Sequence, residues 1–371
     1  MRRSNMNTIL STPARDGFHA PGEYQWHKGC WMLWPQKRDT FRLGGKPAQT
    51  VYIQVAKLIS QYEPVTMCVN HSQYSYACRQ LDSPNIRVIE MSSNDAWMRD
   101  VGPTFLVNHR HQLRGVDWTF NAYGGLVDGL YFPWDKDNLI ARKVCEIELL
   151  PCYPLLDFVL EGGAFQVDGE GTVVVTEECL LGEGRNPNLT REEMERTLME
   201  YLGVEKVIWF RRGLFMDETN GHVDNLFCFV TPGEVLLAWT DDKENPQYEV
   251  VQDCYRVLLE STDAKGRHFG IHKIPLPNPL RISAEEADGL DWVQGSLERK
   301  AGDLLAASYV NLYISNGSVI YPTFNDPADQ IAQQILENCF PRRKIIGVYS
   351  RELFLGGGGI HSITLHQPSG A

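Results

Sequence analysis

The 371-residue sequence has no apolar run close to the roughly 20 residues that a membrane-spanning helix needs. Its first residues lack the apolar stretch of a cleaved secretory signal. Basic side chains are scarce, at 35 against 47 acidic ones, and the net charge of −12 argues against nucleic acid or an anionic membrane as the main partner. No Ser/Gly-rich linker divides the chain. With 43% hydrophobic residues, it is predicted to be a folded globular protein.

The nine cysteines are scattered, and none forms the C-x-x-C pair that is typical of zinc and redox motifs. This pattern predicts reduced thiols within the core and a cytoplasmic location. Cys228, in the apolar segment LFCFV, is an example of a small side chain that is expected to be buried. Neither H-E-x-x-H nor another cluster of metal-ligand residues occurs along the sequence, so we expect no metal ion.

Amphipathic helices alternate with strands along the whole chain. Apolar periodicity predicts helices over residues 46–64, 135–148, 190–203, 246–261 and 326–340. The first of these carries an apolar stripe that extends to Tyr62 and stops at Pro64. The third begins with a capping box formed by Thr190 and Glu193 and ends at Gly203.

Short apolar segments between the helices predict the strands PVTMCVN, NIRVIEM, TVVVTE, EKVIWF, HVDNLFCFV, EVLLAW and KIIGVY. A hairpin is also expected, because Asn316-Gly317 joins VNLYIS to SVIYPTF. The alternation predicts an α/β protein of five repeat units of roughly 60–75 residues each. This periodicity is compatible both with a closed ring of units and with an open mixed sheet.

Four glycine-containing segments place polar side chains where the strands should be apolar. They contain Asp100, Glu161, His222 with Asp224, and Ser362. The first three positions are 61 residues apart, and 140 residues separate His222 from Ser362. One polar strand end therefore occurs in almost every unit. In a ring of repeats these ends converge on the axis, so the spacing predicts a single central site.

Each segment also has a purely structural explanation. Arg99-Asp100 is typical of a solvated ion pair, His222 of a structural histidine, and the glycines at 356–359 of a tight turn. We expect His222 and Asp224 on one face of a strand, because strand side chains alternate. The segment IHSITLHQ after the glycines is also expected to be a strand, which argues against a phosphate-binding loop.

Three carboxylates and one imidazole, with no Lys or Arg expected beside them, predict an electronegative pocket. Such a pocket suits a guanidinium group, whose planar N–H donors match carboxylates in pairs. Trp97 is explained either as a packed aromatic side chain or as a π-face for the cation.

Five long segments closely resemble the agmatine deiminases, at residues 94–108, 115–137, 157–172, 218–229 and 356–364. The resemblance runs essentially end to end. That family belongs to the guanidino-group-modifying superfamily with the pentein fold, a five-bladed α/β-propeller with pseudo-five-fold symmetry. The resemblance implies that residues 1–371 form one domain of five ββαβ-type repeats. It also implies hydrolysis of agmatine to N-carbamoylputrescine and ammonia, in polyamine metabolism and without a cofactor or metal. A homo-oligomer is compatible with these features.

The resemblance assigns a role to each polar strand end. Asp100 and Asp224 match the pair that hydrogen-bonds the guanidinium nitrogens. Glu161 matches the carboxylate that orients the substrate and exchanges protons beside His222. His222 matches the acid that protonates the departing ammonia and then the base that activates water.

The resemblance also covers the wall of the pocket. Trp97 matches a side chain that lies against the substrate. Gly358 lies in the glycine loop that carries the nucleophile, and it is expected to contact the substrate.

The sequence departs from the family at the nucleophile, where Ser362 replaces the cysteine that follows Ile-His. The family thiolate forms a covalent amidino intermediate, whereas a serine hydroxyl would need His222 to remove its proton in the same step. Three interpretations stay open: an introduced substitution that traps the substrate, a non-catalytic agmatine-binding protein, or a weakly active serine nucleophile. A cysteine from another unit is a further candidate.

The sequence also bears on the class of reaction and on the choice of substrate. A serine hydrolase with a Ser362–His361 dyad is disfavoured, because neighbours on a strand face opposite sides. Arginine as a substrate would bring a carboxylate that needs a basic partner. Arg99 is the candidate for that partner, and its direction is not fixed by the sequence.

Overall fold

The computed structural model describes residues 8–370, which form a mixed α/β structure. Its strands are β1 (Phe18–His19), β2 (His27–Leu33), β3 (Val65–Val69), β4 (Ile86–Glu90), β5 (Thr104–Asn108), β6 (Leu113–Thr119), β7 (Cys152–Val159), β8 (Phe165–Val167), β9 (Thr172–Thr176), β10 (Lys206–Phe210), β11 (Phe227–Thr231), β12 (Glu234–Trp239), β13 (Gly270–Pro275), β14 (Tyr313–Ile314), β15 (Ser318–Thr323), β16 (Lys344–Tyr349) and β17 (Thr364–Pro368). The α/β class expected from the sequence is confirmed.

Helices connect these strands, and several of them are single turns. The α-helices are α1 (Lys46–Ile59), α2 (His71–Gln80), α3 (Met98–Val101), α4 (Gly125–Asp128), α5 (Ile140–Ile147), α6 (Glu177–Leu180), α7 (Arg191–Leu202), α8 (Tyr248–Glu260), α9 (Ala284–Asp288), α10 (Ala328–Cys339), α11 (Arg351–Leu355) and α12 (Ile360–Ile363). The 3₁₀ turns are η1 (Leu43–Gly45), η2 (Asp137–Leu139), η3 (Gly162–Ala164) and η4 (Val223–Asn225).

Within the described residues the strands form five small sheets with a common plan. The sheets have the strand orders β1-β5-β6-β7, β10-β9-β8, β11-β12-β13, β14-β15-β16 and β17-β2-β3-β4. In each sheet an antiparallel pair is followed by a parallel pair, as in β8-β9 and then β9-β10. Parallel neighbours need a crossover, and α5, α7, α8, α10 and α1 provide one for each sheet. The arrangement of these sheets as five repeats of one domain stays a prediction.

One sheet joins the two ends of the described chain. Strand β17 pairs antiparallel with β2, with Leu365 opposite Trp31 and Thr364 opposite Met32. The short helix α12, which contains Ser362, lies directly before β17. The pairing of β17 with β2 therefore fixes the position of Ser362 relative to the first third of the chain.

The helix predictions hold best where the sequence contains a cap. Helix α7 begins after Thr190, whose Oγ1 accepts a hydrogen bond from the N–H of Glu193 at 3.2 Å. In return the N–H of Thr190 donates to Glu193 Oε2 at 2.9 Å, and Gly203 ends the helix with φ 65°. The helices expected at 246–261 and 326–340 are also present, as α8 and α10. The hairpin at Asn316-Gly317 is formed by β14 and β15.

Two helix boundaries were predicted wrongly. Helix α1 ends at Ile59, and the N–H groups of Tyr62 and Glu63 donate to the carbonyl of Ile59 in a closing turn. Pro64 disfavours helical geometry in the residue before it, so the helix stops earlier than its apolar stripe indicates. The segment expected to be helical over 135–148 forms η2 and then α5, and the α-helix itself starts at Ile140.

Two strand predictions were wrong at the positions that matter for function. The segment HVDNLFCFV begins with η4, and its strand starts only at Phe227. The segment IHSITLHQ begins with α12, and its strand starts at Thr364. His222 and Asp224 are therefore not related by strand alternation. His361 and Ser362 are likewise consecutive residues of a helical turn.

The cysteines and the helices agree with the expectations from composition. All nine cysteines are free, and seven of them are buried, including Cys228 with 5% exposure. Among residues 8–370 no helix is both long enough and apolar enough to cross a bilayer. The cytoplasmic location stays a prediction.

We expect Thr190→Ala to lower the free energy of unfolding by about 1 kcal/mol, because it leaves the N–H of Glu193 without its cap. Urea unfolding would measure this loss. Ser283→Ala is the matched control, since Ser283 caps the five-residue exposed helix α9 in the same way. A loss at Thr190 no larger than that at Ser283 would show that the α7 cap contributes little.

Candidate active site

Four short helical turns carry the polar side chains that the sequence singles out. Asp100 lies in α3, Glu161 directly before η3, Asp224 in η4 and Ser362 in α12. Each turn is followed by the first strand of a sheet, namely β5, β8, β11 and β17. Helix α12 packs against α3, α3 against η3, and η3 against η4. The turns therefore bring side chains from four sheets to one place.

Gly163 marks the point where three of these side chains meet. A Cβ atom built on Gly163 would lie 2.6 Å from Nδ1 of His222, 2.9 Å from Oδ2 of Asp224 and 3.0 Å from Oδ1 of Asp100. Any larger residue would collide with all three. Glycine is therefore needed here for the close approach of two carboxylates and an imidazole.

Asp100 is buried and holds two hydrogen bonds. Its Oδ2 accepts from the hydroxyl of Tyr123 at 2.8 Å, and its Oδ1 accepts from the N–H of Gly163 at 2.9 Å. Burial favours the neutral carboxyl, as do the charges of Asp224 and Glu161, and His222 opposes them. The result raises the pKa of Asp100 to about 6. At neutral pH the group is therefore mostly ionised and is attracted to a cation.

His222 is buried between acidic groups. Its Nδ1 lies 3.9 Å from Oδ1 of Asp100, and the ring of Tyr123 meets it edge-on at 5.8 Å between centroids. Burial favours the neutral ring, but Asp100, Cys179 and Glu161 outweigh it and raise the pKa of His222 to about 10. Without a ligand, His222 is therefore a charged imidazolium with a proton to donate.

Glu161 has a basic neighbour that the sequence did not predict. Nε of Arg185 lies 2.8 Å from Oε1 of Glu161, and both side chains are at most 2% exposed. The other guanidinium nitrogens of Arg185 donate to the carbonyls of Tyr123 and Thr219. The expectation of a pocket with no Lys or Arg beside its carboxylates is therefore wrong. A buried carboxylate needs such a partner, and distant residues can supply it.

Ser362 lies beside the glycine loop and Trp97. A Cβ on Gly358 would lie 2.6 Å from Cζ3 of Trp97 and 3.0 Å from Oγ of Ser362, so Gly358 separates the indole from the hydroxyl. The hydroxyl accepts hydrogen bonds from the N–H of Gly359 at 3.1 Å and from the amide of Asn311 at 3.4 Å. Neither partner is a base, so neither can remove the hydroxyl proton.

Asn311 comes from the fifth sheet, in which the sequence shows no conspicuous polar strand end. It lies shortly before β14 and is fully buried. Its Oδ1 accepts from the N–H of His361 at 2.9 Å, and its Nδ2 donates to Oδ1 of Asn225 at 2.9 Å. Asn311 therefore ties α12 to η4, and all five sheets contribute to the site.

Cys179 is the one thiol placed at the site among the described residues. A sulfur atom of Cys179, a carboxylate oxygen of Glu161 and a ring nitrogen of His222 lie within 4.8 Å of one another. These three atoms are of the types that bind zinc. The guanidinium of Arg185 beside Glu161 competes with a metal cation for the carboxylate. Cys179 lies at the His222 side of the site, on helix α6.

Sequence reasoning missed five of the side chains that hold this site together: Tyr123, Cys179, Arg185, Asn311 and Glu23. Their neighbours in sequence carry no catalytic signature. Tyr123 lies within one of the segments that resemble agmatine deiminases, which is the only signal that could have indicated it.

A family model for Porphyromonas-type peptidyl-arginine deiminase matches residues 19–368, so the chain belongs to this family. Within the family its relatives are agmatine deiminases. The agmatine deiminase of Pseudomonas aeruginosa is 53% identical over 364 residues, which cover 98% of this chain and 99% of that protein.

Solved structures give the same result. The agmatine deiminase of Enterococcus faecalis, described as catalysing its reaction, has a TM-score of 0.96 and 49% identity, covering 98% of this chain and 100% of that one. A Cys-to-Ser variant of the C. jejuni agmatine deiminase with substrate bound has a TM-score of 0.79 and 25% identity, covering 94% and 96%. These findings confirm the resemblance, the pentein fold and the class of hydrolases that act on amidines.

We expect the ring of His222 to stay protonated at pH 8, because Asp100 and the neighbouring groups hold its proton. Asp100→Asn removes the nearest negative charge and should lower the pKa of His222 by at least about one unit. Nitrogen chemical shifts of the histidine rings during a pH titration would measure both values. The exposed His71 serves as an internal reference. A neutral His222 at pH 8 in the unsubstituted chain would contradict this account of the site.

Proposed function

We propose that this chain binds agmatine with the guanidinium group between Asp100 and Asp224, and that its site is built to hydrolyse agmatine to N-carbamoylputrescine and ammonia. The observation that carries the proposal is the meeting of these two carboxylates with His222 at Gly163, close to residue 362. Two carboxylates at one point match the N–H donors of a planar cation. The similarity to agmatine deiminases supports the same substrate.

The proposed reaction has two steps at the guanidinium carbon. The nucleophile at residue 362 attacks this carbon, and the proton of the charged His222 goes to the departing nitrogen, which leaves as ammonia. His222 is then neutral and takes a proton from water, which attacks the amidino carbon and releases residue 362. Glu161, held by Arg185, orients the nitrogen atoms beside His222.

Binding and chemistry make different demands on residue 362. The carboxylates bind the cation whether this residue is serine or cysteine. Chemistry needs a nucleophile that loses its proton, and the Ser362 hydroxyl is bonded to Gly359 and Asn311 rather than to a base. The chain with Ser362 should therefore bind agmatine and turn it over very slowly.

Agmatine is favoured over arginine by the commitments of the nearby basic groups. Arginine carries a carboxylate that would need a free cation. Arg99 points to Glu23, to which it is bonded at 3.0 Å, and Arg185 pairs with Glu161. Arg299, beside the glycine loop, pairs with Glu218 at 2.6 Å.

A second candidate function is a non-catalytic agmatine-binding protein. The observation that favours it is Ser362 itself, because it leaves the binding groups in place and removes the thiol. Cys179 does not replace that thiol in this proposal, since it is buried against His222 and Glu161. The two candidates differ only in turnover.

We expect Ser362→Cys to raise the rate of ammonia release from agmatine by roughly 10³-fold or more, because it restores the covalent nucleophile. Intact mass spectrometry during turnover should show the amidino adduct on this variant. Calorimetry should give similar agmatine affinities for the two chains.

The control is Ser362→Cys combined with His222→Asn, which keeps the thiol and removes the proton donor. This double variant should bind agmatine and release little ammonia. If Ser362→Cys gives neither turnover nor adduct, the assignment of the nucleophile is wrong. Rapid turnover by the unsubstituted chain would exclude a non-catalytic binding protein.

We expect agmatine affinity to be constant above pH 7 and to fall below about pH 6, approaching tenfold per pH unit. The pKa of Asp100 is raised to about 6, so acid protonates this carboxyl and removes its charge before agmatine changes its own. Calorimetry between pH 5 and pH 8 would measure the slope.

Asp117→Asn is the matched control for this pH dependence. Asp117 is also buried with a raised pKa, but it pairs with Arg142 away from the site. Its variant should keep the slope of the unsubstituted chain. A flat affinity profile down to pH 5 would show that Asp100 does not bind the cation as a carboxylate.

A further inference from the structure

His361, the residue before Ser362, is bonded to carboxylates through both ring nitrogens. Its Nδ1 lies 2.8 Å from Oδ2 of Asp224, and its Nε2 lies 2.9 Å and 3.0 Å from the two oxygens of Glu23. The ring is 3% exposed. An imidazole that faces an ionised carboxylate on each side must donate on each side, so the ring carries two protons.

The contacts continue on the far side of Glu23. Nη1 of Arg99 donates to Glu23 at 3.0 Å and lies 3.2 Å from Nδ1 of His366. Arg99, Glu23, His361 and Asp224 thus form a row of alternating charges that ends at Gly163. We call this row the charged row.

The surroundings favour the charged form of His361. Burial and the charge of Arg99 oppose it, but Glu23 and Asp224 prevail, so the pKa of His361 is raised. The pKa of Glu23 is held well below its usual range despite burial, because Arg99 and His361 lie beside it. The pKa of His366 is lowered by burial, so this ring is neutral. The other polar neighbours, Gln166 and Asn311, carry no charge.

We propose that His361 is a positioning residue for substrate binding, whose imidazolium is held by Glu23 and in turn holds the Asp224 carboxylate at Gly163. The hydrogen bond ends on Oδ2 of Asp224, which is the oxygen that lies beside Gly163. The inference rests on the proposed function, because it takes Asp224 as a ligand of the guanidinium. It gives the His361 side chain a role that the peptide position of Ser362 alone does not.

Two substitutions at His361 separate positioning from general stability. The amide nitrogen of asparagine occupies nearly the place of Nδ1, so His361→Asn retains a donor to Asp224. The amide nitrogen of glutamine occupies nearly the place of Nε2, so His361→Gln retains the contact with Glu23 and loses the one with Asp224. Both variants remove the positive charge and a buried ring of the same size.

Agmatine affinity of the two variants, measured by calorimetry on the full chain with Ser362, tests the proposal. His361→Gln should bind agmatine about tenfold or more weakly, because a buried carboxylate loses a charge-assisted donor. His361→Asn should stay within about threefold of the unsubstituted chain. Equal affinities, or equal losses in both variants, would overturn the proposal.

Glu23→Gln tests the other end of the charged row. Without this carboxylate the ring of His361 should lose a proton at lower pH, and ring nitrogen shifts would show the change. Agmatine affinity at pH 8 should fall with it. An unshifted His361 titration would overturn the assignment of Glu23 as the group that holds the charge.

Glu63→Gln is the matched control, because Glu63 pairs with His27 in another buried His–Glu contact at 3.1 Å. It should lower the unfolding temperature and leave agmatine affinity unchanged. Failure of the proposed function is distinguishable from failure of this inference. If the unsubstituted chain does not bind agmatine, the proposed function is wrong, whereas binding that is insensitive to His361→Gln contradicts the positioning role alone.

Discussion

The burial of several charged groups at one place is the constraint on which the rest of this structure depends. Carboxylates removed from water must be paired or hydrogen-bonded, and three of them lie here with at most 6% exposure: Asp100, Glu161 and Asp224. Each has its own partner from a distant part of the chain: Tyr123, Arg185 and His361. Since the partners belong to different sheets, the site is complete only when the sheets are assembled. The compensated charges then keep a fixed shape until a cation arrives.

Recognition and chemistry are separable in such a site. The carboxylates, the imidazolium and the glycine at position 163 form a cation site that does not involve the side chain of residue 362. The hydroxyl of Ser362 is engaged by the N–H of Gly359 and the amide of Asn311, which are contacts that suit an unreactive group. One atom, oxygen in place of sulfur, thus changes the reactivity of the site and leaves the groups that recognise the substrate in place.

Local sequence was a good guide wherever a local interaction decides the structure. The cap at Thr190, the end of α7 at Gly203 and the turn at Asn316-Gly317 all form as expected. It failed where packing overrides strand propensity, at η4 and α12. Both segments contain apolar residues in strand-like order, yet both are helical turns that direct side chains to the site. The early end of α1 is a smaller case, in which Pro64 outweighs an apolar stripe.

The sequence alone determined the α/β class, the candidate polar residues and their family, because periodicity, spacing and long motifs are properties of the chain order. It also showed that serine stands where the family has cysteine. Only the tertiary structure decided how the charges are balanced. Arg185, Glu23 and Asn311 are far from their partners in sequence, and an interaction across 24 to more than 300 residues leaves no local pattern. The electrostatic state of a buried site depends on all its neighbours, which only the folded chain brings together.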